Sequence, residues 1–218
     1  MAATNMPREA DVRPAEADAT AGKSAALWSP ADPGPLGLTA FATTTFVLSM
    51  INANLVGGGA TYVVLGLALA YGGLGQIIAG LWEFRTGNTF GATAFCSYGG
   101  FWISYFVLLQ LDVTKIAPSE VNAAVGLYLW AWGIFTAYMF VASLRTTGAI
   151  ALVFLLLAIT FIVLGIGNAG GDSSIIHLGG WIGIVTAAAA WYTSFAGVLN
   201  ATWGRTVLPV FPLNQPRA

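Results

Sequence analysis

The segment AIALVFLLLAITFIVLGIG, residues 149–167, decides the fold class of this chain because it is almost entirely apolar and contains no charged residue. A helix needs about 20 such residues to cross the hydrocarbon core of a bilayer. Five further segments of comparable length also lack Asp, Glu, Lys and Arg: residues 38–55, 62–82, 90–111, 123–143 and 175–202. Short breaks that carry Gly, charge or both separate the segments. The sequence therefore predicts an all-α polytopic membrane protein with six transmembrane helices.

The composition of the whole chain agrees with this fold class. Of its 218 residues, 57% are hydrophobic and only 8% are charged, whereas an ordinary soluble domain has about 25% charged residues. The eight basic residues nearly balance the nine acidic ones, so the chain has no basic surface with which to bind nucleic acid. Cys96 and His177 are the only residues of their types, which excludes a Cys-rich or His-rich metal site. No cofactor is expected.

Three regions follow from this pattern. Residues 1–31 are rich in Ala, Pro, Asp and Glu and lack hydrophobic periodicity, which predicts a disordered N-terminal tail. Residues 32–203 form the transmembrane domain, and residues 204–218 form a C-terminal tail. An even number of spans places both tails on one side, and seven of the eight basic residues fall on that side, against Lys115 on the other. Both termini are therefore predicted to be cytoplasmic, in a plasma membrane or bacterial inner membrane.

The chain contains no catalytic constellation, so it is not expected to be an enzyme. A few polar residues nevertheless lie within or beside the spans, where they are costly and usually face a cavity or a partner helix. Glu83 is a candidate for proton coupling or, alternatively, for an ion pair with Arg85 at the membrane surface. His177 would titrate during transport or make a structural hydrogen bond. Gln76 and Asn168 would contact a solute or tie helices together through side-chain hydrogen bonds.

The segment DPGPLGLTAF, residues 32–41, places two prolines and two glycines at the entrance to the first span. Locally this pattern predicts a rigid turn that leads into a helix. The free backbone N–H groups at such a helix start can bind an anion, although a helix start without a ligand would have the same sequence. The candidate binding residues of this segment are Asp32, Pro33, Pro35, Leu36, Gly37 and Leu38.

This segment closely resembles the signature of the acetate uptake transporter family, also described as acetate and succinate permeases. The signature reads Asn-Pro-Ala/Val-Pro-Leu/Phe-Gly-Leu and is followed shortly by Phe. Further segments resemble the family in the same order: YGGLGQ at 71–76, GNTFG at 87–91, SYG at 97–99, FW at 101–102, GWIG at 180–183 and GRTVLP at 204–209. The resemblance covers about residues 31–209, and together these segments are highly specific.

The resemblance implies six helices that surround a solute pathway within each protomer of a homohexamer. It also implies transport of acetate, related short monocarboxylates or succinate, and the expected partners are further copies of the chain and the lipid bilayer. A hydrophobic constriction would be formed by Phe41, Tyr98 and Leu157, and Ala190 would influence substrate size. Proton symport is the first expectation, and passive conduction of acetate or ammonia through a channel is the alternative.

Position 32 departs from the signature, because Asp stands where the family usually has Asn. An ionised Asp32 at the mouth of the pathway would repel acetate, and its protonation at acid pH would relieve the repulsion. Alternatively, Asp32 caps the turn as Asn would.

Overall fold

The structure is a computed structural model that describes residues 30–111 and 116–213. Within these residues six helices are long and apolar enough to span a membrane, which confirms the predicted number. In chain order they are α1 (Gly34–Asn52), α2 (Gly58–Thr86), α3 (Thr89–Gln110), α4 (Pro118–Ser143), α5 (Gly148–Gly170) and α6 (Ser173–Trp203). The predicted disordered tail at residues 1–31 lies almost entirely outside the described residues, as does Lys115.

Three helices begin at least one turn before their predicted boundaries: α2, which opens with a 3-10 turn at Gly58, and two helices that have a proline in the first turn. α1 starts at Gly34 rather than Leu38, and α4 starts at Pro118 rather than Ala123. Proline is tolerated there because the N–H group that it lacks would have no partner inside the helix. An apolar run marks only the part of a helix that crosses hydrocarbon, so it misses first turns of this kind.

α2 changes its helical form along its length. It comprises a 3-10 turn (Gly58–Ala60), an α-helix (Thr61–Leu69), a π-helix (Ala70–Gly75) and a second α-helix (Gln76–Thr86). The π-helical part packs closely on both neighbours. A Cβ atom at Gly72 would lie 2.6 Å from Thr44 Oγ1 of α1, and one at Gly73 would lie 2.7 Å from Ile103 Cγ1 of α3. Because a π-helical turn holds more residues than an α-helical turn, it sets the face on which later residues of α2 lie.

The six helices form a closed ring. Each helix packs against the next one in the chain, and α6 packs along α1 to close the ring. The contact between α3 and α4 is the least extensive. Large apolar side chains such as Leu81, Ile134 and Trp181 are exposed, which is the surface that lipid hydrocarbon would cover. The protein is thus a multi-pass membrane protein whose helices surround a central core of aromatic side chains.

The residues that follow α6 fold back onto the ring. The N–H group of Gly148 donates to Phe211 O at 2.7 Å, and the N–H group of Leu213 donates to Thr146 O at 2.9 Å. The first part of the predicted C-terminal tail is therefore attached to the turn between α4 and α5.

Candidate substrate pathway

Three cavities follow one another inside the ring. The near vestibule, on the side where α1 begins and α6 ends, has a volume of about 330 Å³. The far vestibule, on the opposite side, has a volume of about 260 Å³. Between them lies a gap of about 20 Å³. Since a cavity needs roughly 10–15 Å³ to hold one water molecule, the gap in this conformation is closed to a molecule as large as acetate.

Shared residues connect the three cavities into one line. Leu38 and Phe154 line both the near vestibule and the gap. Phe41 and Leu157 line both the gap and the far vestibule. Each pair has one residue from α1 and one from α5, and the second pair lies one helical turn beyond the first. A solute that moves along this line therefore passes two successive layers of apolar side chains.

The gap brings together the three residues that the family resemblance assigns to a constriction. Its lining residues are Leu38, Phe41, Gln76, Ala94, Phe95, Tyr98, Val153, Phe154 and Leu157. The ring centroids of Phe41 and Tyr98 are 5.8 Å apart, and those of Tyr98 and Phe154 are 6.0 Å apart. The sequence prediction misses Phe95 and Phe154. Each lies three residues before a predicted constriction residue on the same helix, so helical periodicity was the available signal.

Tyr98 contributes its ring to the gap, and its hydroxyl group is bonded elsewhere. The hydroxyl lies 3.0 Å from Thr136 Oγ1 of α4, and Thr136 Oγ1 donates to Trp132 O at 2.7 Å. Because the Thr136 proton is used in that bond, the Tyr98 hydroxyl acts as the donor to Thr136. The ring also packs edge-on against Phe135, with centroids 5.4 Å apart.

Gln76 brings an amide group from α2 into the lining of the gap. The residue is 1% exposed, and within the described residues neither Oε1 nor Nε2 has a hydrogen-bond partner. Such atoms are rare in folded proteins. The alternative prediction, in which Gln76 ties helices together through hydrogen bonds, has no support in this geometry.

The remaining predicted residues lie farther from the gap. Asn168 lines the far vestibule, and its Nδ2 donates to Leu164 O within α5 at 2.8 Å. Ala190 is fully buried in the core. His177 is partly buried near the start of α6. Neither Ala190 nor His177 is among the residues that line the three cavities.

The start of α1 lies in the near vestibule. Of the six candidate binding residues in this segment, Asp32, Pro35 and Leu38 line this vestibule. Of the others, Pro33 and Gly37 are buried and Leu36 is exposed. Asp32 Oδ1 accepts a hydrogen bond from the N–H group of Gly34 at 2.8 Å. One of the N–H groups that could bind an anion, that of Gly34, is therefore already paired with a carboxylate oxygen of the protein. Asp32 caps the turn as Asn would.

Glu83 also lines the near vestibule, although it is only 3% exposed. Its Oε2 accepts hydrogen bonds from Asn88 Nδ2 at 2.9 Å and from Thr86 Oγ1 at 3.1 Å. Asn88 Oδ1 in turn accepts the N–H group of Gly91 at 3.0 Å and caps the start of α3. Neutral polar groups therefore fix the Glu83 carboxyl at the turn between α2 and α3, whereas Arg85 lies on the exposed face of the helix.

The far vestibule contains two buried polar groups to which the sequence prediction gives no role. Thr45 Oγ1 and Trp102 Nε1 have no hydrogen-bond partner in the described part of the chain, and both residues line this vestibule. The FW segment at 101–102 was the only sequence signal for Trp102. Across all described residues, 30–111 and 116–213, no group of three or more His, Cys, Asp or Glu side chains could hold a metal ion.

Two curated relatives resemble the chain over most of its length. The succinate-acetate/proton symporter SatP of Escherichia coli (strain K12) is 41% identical over 180 residues, which cover 83% of this chain and 95% of the relative. Ammonia transport outward protein 2 of Saccharomyces cerevisiae is 43% identical over 191 residues, which cover 85% of this chain and 67% of the relative. The chain thus spans about two-thirds of the length of this yeast protein. Both names are those of transport proteins and not of enzymes.

A solved structure has the same fold. The structure described as the bacterial acetate channel SatP superimposes with a TM-score of 0.78 at 40% sequence identity, covering 84% of this chain and 99% of the channel chain. A sequence model of the GPR1/FUN34/yaaH family matches residues 20–215. The resemblance deduced from the signature at residues 32–41 is therefore confirmed, and the chain belongs to the GPR1/FUN34/yaaH family.

Proposed function

We propose that the protein transports acetate and related short monocarboxylates, with succinate as a larger substrate, through the near vestibule, the gap and the far vestibule. The observation that carries this proposal is the line of three cavities inside one ring of helices, closed in the middle by apolar side chains. Relatives named for acetate and succinate supply the substrate class. Phe41, Tyr98 and Leu157 form the constriction that a substrate must open.

We also propose that transport is coupled to protons. The names of the relatives differ on this point, since one is a proton symporter and the other a channel. The nine residues that line the gap include no cationic side chain, and burial of an unpaired carboxylate in apolar surroundings is very unfavourable. A substrate that carries a proton avoids that cost. Glu83, in the near vestibule, is the candidate group for proton exchange, and His177 has a weaker claim because it lines none of the three cavities.

The proposed setting is a homohexamer in the plasma membrane or bacterial inner membrane, with both termini in the cytoplasm. The asymmetry of basic residues between the two sides of the membrane supports the orientation. Chemical cross-linking in membranes tests the homohexamer, and a reporter fused to the C-terminus tests the orientation. A reporter that became active outside the cell would contradict the orientation.

Uptake of radiolabelled acetate into proteoliposomes tests the main proposal. Uptake above that of protein-free vesicles is expected, and an inwardly directed proton gradient should increase its initial rate. If the proton gradient has no effect but an imposed membrane potential does, the protein is a passive anion channel. The name of the yeast relative makes ammonia a second candidate substrate, so ammonia flux should be measured in the same vesicles.

A further inference from the structure

Gln76 presents an unpaired amide group to an otherwise apolar gap. Seven of the nine residues that line the gap are aliphatic or phenylalanine, and the hydroxyl of Tyr98 is hydrogen-bonded to Thr136. Gln76 is 1% exposed, and within the described residues both of its polar atoms lack a partner. A buried donor or acceptor that remains unpaired is unfavourable. The amide is therefore stabilised when a molecule with matching groups enters the gap.

The fold holds this amide in a fixed position along the pathway. Gln76 directly follows the π-helical part of α2, which packs closely on α1 and α3. Ala79, Gly80 and Glu83 are the other buried residues on this last part of α2, so they share the buried face with Gln76. Because Glu83 lies two helical turns beyond Gln76, the carboxyl in the near vestibule and the amide in the gap follow one another along the same helix.

The chemistry of a primary amide matches one protonation state of the proposed substrate. An amide offers a carbonyl acceptor and an NH₂ donor side by side. An undissociated carboxylic acid likewise offers one O–H donor and one carbonyl acceptor, so the two groups form a cyclic pair of hydrogen bonds. A carboxylate has only acceptors. It would accept from Nε2 but would leave Oε1 unpaired beside a negative charge.

We propose that Gln76 binds the undissociated carboxylic acid in the opened gap and discriminates against its anion. Nε2 donates to the acid carbonyl oxygen, and Oε1 accepts the acid O–H group. This pairing requires the gap to widen, because its present volume is about 20 Å³. The inference rests on the proposed transport of carboxylates, and it specifies that proton coupling arises because the proton crosses the gap on the substrate itself.

Only some of the helices that line the gap contain titratable residues. α5 contributes Val153, Phe154 and Leu157 and contains no titratable residue. The titratable and charged groups of residues 32–110, the segment that contains and flanks Gln76, are Asp32, Tyr62, Tyr71, Glu83, Arg85, Cys96, Tyr98 and Tyr105. Of these, only Tyr98 lines the gap, so the acid itself is the group whose protonation determines entry.

The test compares variants of Gln76 in proteoliposomes across a range of pH values, with uptake by protein-free vesicles subtracted. Gln76→Leu removes both hydrogen-bonding atoms at similar size. Gln76→Glu keeps a donor and an acceptor side by side only while the introduced carboxyl group is protonated. Gln110→Leu is the matched control, because Gln110 is exposed at the end of α3 and lines none of the three cavities.

For the wild-type protein, KM expressed as undissociated acid should stay constant, while KM expressed as total acetate rises about tenfold for each pH unit above the pKa of the acid. Gln76→Leu should raise KM for undissociated acid by tenfold or more at every pH. Gln76→Glu should keep uptake near the wild-type level at acid pH and lose it as the pH rises. Gln110→Leu should behave as wild type.

Several results would overturn the inference. One is a wild-type KM that is constant when expressed as acetate anion. Another is a change of less than twofold in Gln76→Leu, and a third is equal loss of uptake at all pH values in a correctly folded Gln76→Glu protein. If Gln76→Leu fails to fold, Gln76→Glu decides the question alone. Absence of acetate uptake by the wild-type protein would instead contradict the proposed function, and this inference with it.

Discussion

The near and far vestibules are of similar size but differ in charge. Two carboxyl groups, those of Asp32 and Glu83, line the near vestibule. The described residues that line the far vestibule include neutral polar groups such as Thr45, Ser49 and Asn168, and none of these lining residues is Asp, Glu, Lys, Arg or His. An anion that approaches the near vestibule therefore meets like charge, whereas the same anion at the far vestibule meets dipoles.

This difference indicates that the two ends have different roles. Under the proposed proton coupling, the near end would favour a substrate that has already taken up a proton, and the buried Glu83 carboxyl is the candidate group for proton exchange with it. The far end offers hydrogen-bonding groups without charge. The apolar gap keeps the two environments separate, so substitutions in the gap should have the largest effect on transport.

Replacement of Leu157 by Ala is expected to widen the gap and join it to the far vestibule. Uptake of succinate relative to acetate should rise several-fold, because succinate is the larger substrate. The substitution should also lower the free energy of unfolding by about 2–5 kcal/mol, the usual result for a buried Leu. Competition between the two labelled acids in proteoliposomes and thermal unfolding in detergent measure the two effects.

Leu155→Ala is the control for that substitution, because Leu155 lies on the exposed face of the same helix. Phe41→Ala and Tyr98→Ala should alter flux or selectivity in the same way and should still assemble. If all three gap variants transport both acids as the wild type does, the assigned constriction is wrong.

Replacement of Glu83 by Gln should reduce the charge difference between the vestibules from two carboxyl groups to one. The Gln side chain still accepts from Asn88 and Thr86 but cannot exchange a proton. We expect the stimulation of acetate uptake by a proton gradient to decrease strongly, with little change in binding at acid pH. Glu83→Ala should in addition lower stability by about 1–3 kcal/mol, because Asn88 Nδ2 would lose its partner. An unchanged response to the gradient would remove Glu83 from the mechanism.

Replacement of Asp32 by Asn removes charge from the near vestibule without removal of the cap on Gly34. Acetate uptake at neutral pH should increase a few-fold at most, because Asp32 is exposed and salt screens exposed charges. The increase should disappear at acid pH and at high ionic strength. If the pH profile of uptake does not change, Asp32 acts only as a cap and the near vestibule owes its charge effect to Glu83.

The number and position of the six spans could be predicted because lipid requires long apolar helices, and this requirement is visible in single segments such as residues 149–167. The π-helical part of α2 could not be predicted in the same way. Its glycines indicate close packing, but the neighbours that they approach, Thr44 and Ile103, lie on other helices, and the local sequence does not specify them. The unpaired state of Gln76 has the same origin, since hydropathy does not specify which neighbours surround a buried amide.

The family resemblance predicted the residues of the gap better than composition could. Phe41, Tyr98 and Leu157 belong to three different helices, and no local pattern joins them. The same resemblance assigns Ala190, whereas His177 is a candidate because its side chain titrates near neutral pH, and the structure places both outside the three cavities. Leu157 and Ala190 both lie in apolar sequence without a short motif to fix their alignment, and of the two only Leu157 lines the gap.

The smallest effect is expected at the opposite face of the ring, where Asp172 caps α6. Asp172 Oδ1 accepts the N–H groups of Ser174 and Ile175 at 2.9 and 3.3 Å, but Asp172 lines none of the three cavities. Asp172→Asn should leave acetate uptake unchanged at every pH, and Asp172→Ala should cost about 1 kcal/mol of stability through loss of the cap. If Asp172→Asn increased uptake as much as Asp32→Asn, the relevant quantity would be the surface charge of the whole protein and not the charge of the near vestibule.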